Sequence, residues 1–99
     1  MLNQAIFVGR LDRTPEVHGD KGIITLRVPR PYKNSEGIYE DDLIPVTIKG
    51  GILEHSIDFL TLNCVVGVKG RIENEAGRIK ILAEKITFLG GPRNNEEED

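Results

Sequence analysis

The sequence predicts an all-β fold: a five-stranded Greek-key barrel with one short helix between the third and fourth strands. Three observations predict it. Four segments, residues 23–28, 43–49, 64–72 and 78–89, alternate apolar and polar side chains and are bounded by Gly, Pro or Asn, the pattern of half-buried strands. Only one stretch, residues 52–60, changes to helical spacing, with Leu53, Ile57 and Leu60 on one face. The first and last strands carry the marks of bending that closure of a small barrel requires.

In the first strand, Ala5, Ile6, Phe7 and Val8 are apolar at both parities. A strand with one wet face does not need this, whereas a strand covered on both faces does. Gly9 then interrupts the run, as at a bulge or bend. We read this strand as shared between the two halves of the barrel, with its second face covered by another subunit. The expected interface is Asn3, Ala5, Ile6, Phe7 and Val8.

Residues 12–22 are polar, with Pro15, Gly19 and Gly22, and read as a loop. In the second strand Ile24, Leu26 and Val28 share the core face. Pro29 and Pro31 should end its regular pairing, because neither can donate to a ladder. Residues 32–39 read as a hairpin tip that sets Tyr32 opposite Tyr39. The third strand turns Ile44, Val46 and Ile48 inward, with Pro45 at an edge or bulge. Gly50-Gly51 breaks the pattern before the helix.

Cys64, Val66 and Val68 give the core face of the fourth strand, and Asn74-Glu75-Ala76-Gly77 is a tight hairpin turn. In the fifth strand the apolar parity shifts between Ile79, Ile81, Ala83 and Ile86, Phe88, which implies a bend or bulge near residues 83–85. Phe7, Phe59 and Phe88 are expected in the core. Gly90-Gly91-Pro92 stops the strand, leaving a barrel domain over residues 1–90 and a short, acidic, flexible tail over 91–99. Three strands, a helix and two strands, with bent ends, is the layout of a five-stranded OB barrel.

Charge is unevenly placed. The formal net charge is −3, with thirteen basic and sixteen acidic residues, but Glu96, Glu97, Glu98 and Asp99 close the chain. Without them the count is thirteen basic against twelve acidic, so partner choice depends on where the charges of the body point. No run is long enough to span a membrane, the start has no export-signal pattern, and the single Cys64 excludes an internal disulfide. A cytoplasmic protein with a reduced, buried thiol is expected.

Several fragments, in order, resemble bacterial single-stranded DNA-binding proteins. They are Met1-Leu2-Asn3-Gln4 through Val8-Gly9-Arg10-Leu11, Thr14-Pro15-Glu16, Arg30-Pro31-Tyr32-Lys33-Asn34 with Gly37, and Asp42-Leu43-Ile44-Pro45-Val46. Val66-Gly67-Val68-Lys69-Gly70-Arg71-Ile72 and Ala83-Glu84-Lys85-Ile86-Thr87-Phe88-Leu89 continue the series, so the resemblance covers nearly all of residues 1–90. It implies an OB barrel that binds single strands with aromatic rings on its open face, Tyr32 among them, and that assembles as dimers or tetramers. It also implies replication, repair or recombination as the setting, with the acidic tail as the contact for proteins of those processes. The chain departs from that pattern in carrying Leu43 and Lys49 where aromatics are usual, in having no tryptophan, and in its short 74–77 turn and short tail.

Read from the residues, six cations oppose the core parity of their strands: Arg27, Lys49, Lys69, Arg71, Arg78 and Lys80. The same strand positions hold almost no acids, so the set has the character of a phosphate track rather than a solubilising face. Arg30 and Lys33 flank Tyr32 and favour its use in stacking, while Tyr39 fits stacking and hairpin stiffening equally well. Glu40, Asp41 and Asp42 are an acidic run to be placed at the rim or on the far side.

Catalysis finds little in the sequence. His18 and His55 have no companions at metal-ligand spacing, Ser35 and Ser56 lie in no nucleophile motif, and no phosphate loop is present. A non-enzymatic protein with no cofactor and no metal is expected. The leading expectation is non-sequence-specific binding of single-stranded DNA. The alternatives are a primosome-type accessory OB protein, or a protein-interaction OB module with little affinity for nucleic acid.

Overall fold

A computed structural model describes residues 1–92. Its elements are β1 (Ala5–Leu11), β2 (Glu16–His18), β3 (Lys21–Lys33), β4 (Tyr39–Lys49), α1 (Gly50–Ser56), β5 (Val65–Glu75) and β6 (Arg78–Gly90). The neighbours run β1-β5-β6-β4-β3-β2, and β1 also pairs with β3, which closes β1, β5, β6, β4 and β3 into a five-stranded barrel. The predicted fold class is the observed one, with β2 as an added short strand at the rim.

The first strand closes the barrel because it serves two partners. Residues Ala5 to Arg10 pair with β5 from Gly70 to Val65, and Arg10 and Leu11 then pair with Arg27 and Leu26 of β3. The change of partner falls at Gly9. A Cβ there would come within 2.8 Å of the Arg27 carbonyl oxygen and 2.9 Å of a Val28 methyl, closer than packed atoms allow. β4 and β6 meet in parallel at Val46↔Ile81 and Thr47↔Leu82. Pro45, which has no N–H to give, stands where that pairing has not yet begun.

The inward parities of the strands meet in one core of Leu11, Ile24, Leu26, Val46, Ile48, Leu53, Leu60, Cys64, Val66, Val68 and Ala83. Cys64 is a free thiol with no exposed surface. The bend expected in the last strand is a bulge at Glu84: Lys69 pairs with Lys85 and Gly70 with Ala83, leaving Glu84 unpaired between them. The β5–β6 hairpin turns through Ala76 (φ 53°) and Gly77 (φ 84°), a two-residue turn of the I′ kind that suits the twist of its strands. The Asn74 Oδ1 accepts a hydrogen bond from the Gly77 N–H at 3.0 Å.

Four expectations need correction. The 12–22 segment is not all loop, because Glu16, Val17 and His18 pair with Ile23, Gly22 and Lys21. Pro29 and Pro31 do end the regular pairing of the second long strand, as expected, without ending the strand itself. β3 runs on to Lys33 with an irregular register between Pro29 and Lys33, and the prolines sit inside that irregularity. The helix begins at Gly50, where the Gly50 N–H bonds to the Asp20 carbonyl at 2.8 Å, and it buries Leu53 and Ser56 while Ile57 is left exposed. Tyr39 pairs with Lys33, not with Tyr32. Phe88 is not buried: it is 47% exposed at the barrel's end, edge-on to Phe59 with centroids 5.5 Å apart. The acidic residues of the tail, and the expectation that it is flexible, lie outside the described residues.

Candidate nucleic-acid interface

In an OB barrel the outer face of the two strands before the helix, with the loops that overhang it, is the usual place for an oligonucleotide. Here that face is the β3–β4 ribbon. Its register sets Lys21 beside Lys49, Ile23 beside Thr47, Thr25 beside Pro45 and Arg27 beside Leu43, and ends with Lys33 beside Tyr39. Side chains alternate along a strand, so these residues share the outer face while Ile24, Leu26, Val46 and Ile48 fill the core. Thirteen residues of β3 extend over about 40 Å.

The β5–β6 hairpin leans over the Lys21–Lys49 end and makes a groove there. The groove has a volume of about 380 Å³ and is lined by Lys21, Ile23, Pro45, Thr47, Glu75, Arg78, Ile79, Lys80 and Ile81. Three cations from two strands, Lys21, Arg78 and Lys80, thus converge on an apolar floor with Glu75 as the acid among them, and Lys49 stands beside Lys21 at the edge. Glu75 accepts a hydrogen bond from the Lys80 ammonium at 2.7 Å. That bond, with the charges of Lys80, Lys21 and Lys49, holds the Glu75 carboxyl below the usual carboxylate range. No aromatic ring lines the groove.

The ten residues predicted to touch nucleic acid fall into three places. Arg27, Lys33, Tyr39 and Lys49 lie on the outer face of the β3–β4 ribbon, and Arg78 and Lys80 lie in the groove at its end. Arg30 reaches Asp42 at 2.9 Å and Glu40 at 3.4 Å, the alternate positions of β4, and so lies on the reverse face of the ribbon. Tyr32, one residue before Lys33, turns to that side by the same alternation and is 61% exposed. Lys69 and Arg71 stand on the outer face of β5, with Lys69 beside Ile6 and Lys85. Lys21 belongs to the groove and was missed, because its strand was expected to start two residues later.

Acids temper the cations more than strand parity suggested. Arg27 bonds to Asp12 at 3.0 Å and lies 4.0 Å from Asp41, Arg71 bonds to Glu73 at 2.9 Å and lies 3.6 Å from Glu84, and Lys80 holds Glu75. Asp41 and Asp42 do point to opposite faces, one toward Arg27 and one toward Arg30. The Arg30 hydrogen bonds hold the Asp42 carboxyl below its ordinary value, and Arg13, with Arg27, does the same for Asp12. Lys21, Lys49, Lys69 and Arg78 have no ion-pair partner among the described residues.

A second surface lies on the outside of β1, β5 and β6. Ile6 is 68% and Val8 51% exposed, and with Gly67, Lys69, Lys85, Thr87 and Leu89 they line a shallow apolar groove. The interface residues read from the sequence divide here. Ile6 and Val8 point outward, while Ala5 and Phe7 have the inward parity and Phe7 packs on the core. Asn3 is engaged within its own chain: its side chain donates to the Ile72 carbonyl at 2.7 Å and accepts from the Ile72 N–H at 2.8 Å. Among the described residues no group of three or more His, Cys, Asp or Glu side chains is placed to hold a metal ion. No helix there is long and apolar enough to cross a membrane.

No family model matches the chain. It is 31% identical to single-stranded DNA-binding protein 2 of Staphylococcus aureus (strain COL), over 98% of this chain and 80% of that protein. Among solved structures, the dimeric N-terminal domain of PriB protein from Thermoanaerobacter tencongensis superposes with a TM-score of 0.66 at 20% identity, covering 88% of this chain and 96% of that one. The small single-stranded DNA-binding protein from Streptomyces coelicolor gives the same TM-score of 0.66 and 20% identity, covering 90% and 95%. The structural likenesses establish the OB barrel, and the near-complete sequence match goes further: the chain belongs to the family of bacterial single-stranded DNA-binding proteins.

Proposed function

We propose that this protein binds single-stranded DNA without sequence preference, the strand lying along the outer face of β3–β4 and entering the groove under the β5–β6 hairpin. The observation that carries the reading is the convergence of Lys21, Arg78 and Lys80 on an apolar floor, with Lys49 beside Lys21, on the face that OB barrels use for oligonucleotides. Family membership supports it. The cations take phosphates, and Tyr39 and Leu43 offer flat or apolar surface to bases. The setting is replication, repair or recombination. Catalysis has no part in it, and neither cofactor nor metal is required.

The working unit contains more than one chain, a dimer or a tetramer, with Ile6 and Val8 covered by a partner copy. The barrel over residues 1–90 is the binding domain, and the acidic residues at the end of the chain are a contact for replication or repair proteins. A second reading, a protein-interaction module, draws on the ion pairing of Arg27, Arg30 and Arg71, which leaves those cations less available to phosphates. Titration of poly-dT at increasing salt separates the two. Counterion release predicts log K falling with log salt with a slope of about −2 to −3 for three to four phosphates. Absence of binding at low salt would favour the interaction module.

A further inference from the structure

The three cations of the groove are not all open to a phosphate, because one acid of the β5–β6 hairpin already lies among them. Glu75 forms the last pair of the β5–β6 ladder, opposite Arg78, and the I′ turn that follows fixes its direction. Its Oε2 sits 2.7 Å from the Lys80 ammonium. Lys21 and Lys49, on two other strands, add to the lowering of its pKa, so the carboxylate lies in the combined field of three lysines. The Lys80 side chain is 19% exposed and that of Glu75 is 67% exposed. The carboxylate is thus the more open member of the pair, and a strand entering the groove meets it together with the lysine it holds.

We infer that Glu75 is an affinity-limiting residue, an internal anion that occupies the phosphate position over Lys80 and must swing away before a strand can seat in the groove. The inference rests on the groove reading above. The other hairpin acid, Glu73, pairs with Arg71 outside the groove lining and provides an internal comparison. A single strand meets two consequences of Glu75. Its phosphate must replace an existing ion pair instead of adding a new one, and the displaced carboxylate remains nearby as a like charge. Both weaken binding and hasten release without altering the fold.

The test uses the full chain and poly-dT, with wild type, Glu75→Gln, Glu73→Gln and Glu75→Gln combined with Lys80→Ala. Glu75→Gln should tighten binding roughly fivefold at low salt, the size of one charge contact in water. It should also steepen the salt slope by about −0.7, the value for one further phosphate on a single strand. Glu73→Gln should change neither quantity by more than its single unit of net charge accounts for at long range, and the combined variant should lose the gain. Each variant is checked by thermal melting, and Glu75 is an exposed residue at a hairpin end whose amide keeps its shape. Equal gains for Glu75→Gln and Glu73→Gln would overturn the inference, since net charge alone would explain them. So would an unchanged or weaker affinity of Glu75→Gln. Lys49→Ala with Arg78→Ala tells which statement has failed: if that pair weakens binding while Glu75→Gln is silent, the groove stands and the internal anion falls. If that pair is silent too, both fall.

Discussion

The Lys33 ammonium stands 5.7 Å from the centroid of the Tyr39 ring, a cation–π contact that orients the ring and leaves its other face for a base. Tyr39 also shares its side of β4 with Leu43, Pro45 and Thr47, so a strand leaving the groove would reach it next. Tyr32 turns to the side where Arg30 is held by Asp42 and Glu40. A base stacked on a ring contributes about 1–3 kcal/mol by alanine substitution. Tyr39→Ala should therefore lower poly-dT affinity within that range while Tyr39→Phe leaves it unchanged, and Tyr32→Ala should lower it less. The reverse ranking in an anisotropy titration would move the strand to the other side of the ribbon. The family pattern draws the eye to Tyr32, and nothing in the sequence shows that Lys33 is the partner of Tyr39. That partner is fixed by a five-residue loop in which the Asn34 Oδ1 accepts hydrogen bonds from the Glu36 and Ile38 N–H groups.

At the scale of elements, the β5–β6 pair decides the shape of the groove, and the glycine opposite its bulge decides whether the pair can form. A Cβ on Gly70 would overlap the Leu82 carbonyl oxygen and lie 3.3 Å from the Ala83 Cα, backbone atoms that cannot step aside as a side chain can. Gly70→Ala should cost roughly 1–3 kcal/mol or more, as overpacking does. The measurement is a thermal or urea melt, and an unchanged midpoint would mean the bulge relaxes freely. The bulge itself was legible, since the apolar parity slips at Ala83–Ile86 and only an extra residue reconciles the two halves. The β2 hairpin was not legible. Its three residues are all exposed, so no alternation marks them. The prolines were legible: loss of a donor breaks the ladder at 29–31, while the extended chain runs on to Lys33.

For the whole molecule, the apolar double parity of residues 5–8 predicted a covered second face, and in the single chain that face is bare at Ile6 and Val8. Parity also tells the two kinds of substitution apart. Ile6→Glu should give folded monomers of about 11.0 kDa by light scattering, whereas Phe7→Glu, aimed at the core, should unfold the protein. Wild type running as a monomer at micromolar concentration would contradict the oligomeric assignment. The barrel could be read because alternation, one helical interruption and two bends leave few other closures. The ion pairs could not, since Asp12, Glu75 and Glu84 reach their partners through a loop, a hairpin end and a bulge, none of which strand parity describes.

The location of the strand on the barrel is tested most directly by lysine reactivity with and without poly-dT. Acetylation followed by mass spectrometry reads every lysine separately, and the barrel carries them on two distinct surfaces. Lys21, Lys49 and Lys80 line or flank the groove, while Lys69 and Lys85 lie beside Ile6 on the outside of β1, β5 and the far half of β6. Poly-dT should protect Lys21, Lys49 and Lys80 severalfold and leave Lys69 and Lys85 at their DNA-free rates. Protection of Lys69 and Lys85, with Lys21 and Lys49 unaltered, would contradict the groove and place the strand on the outside of β1, β5 and β6.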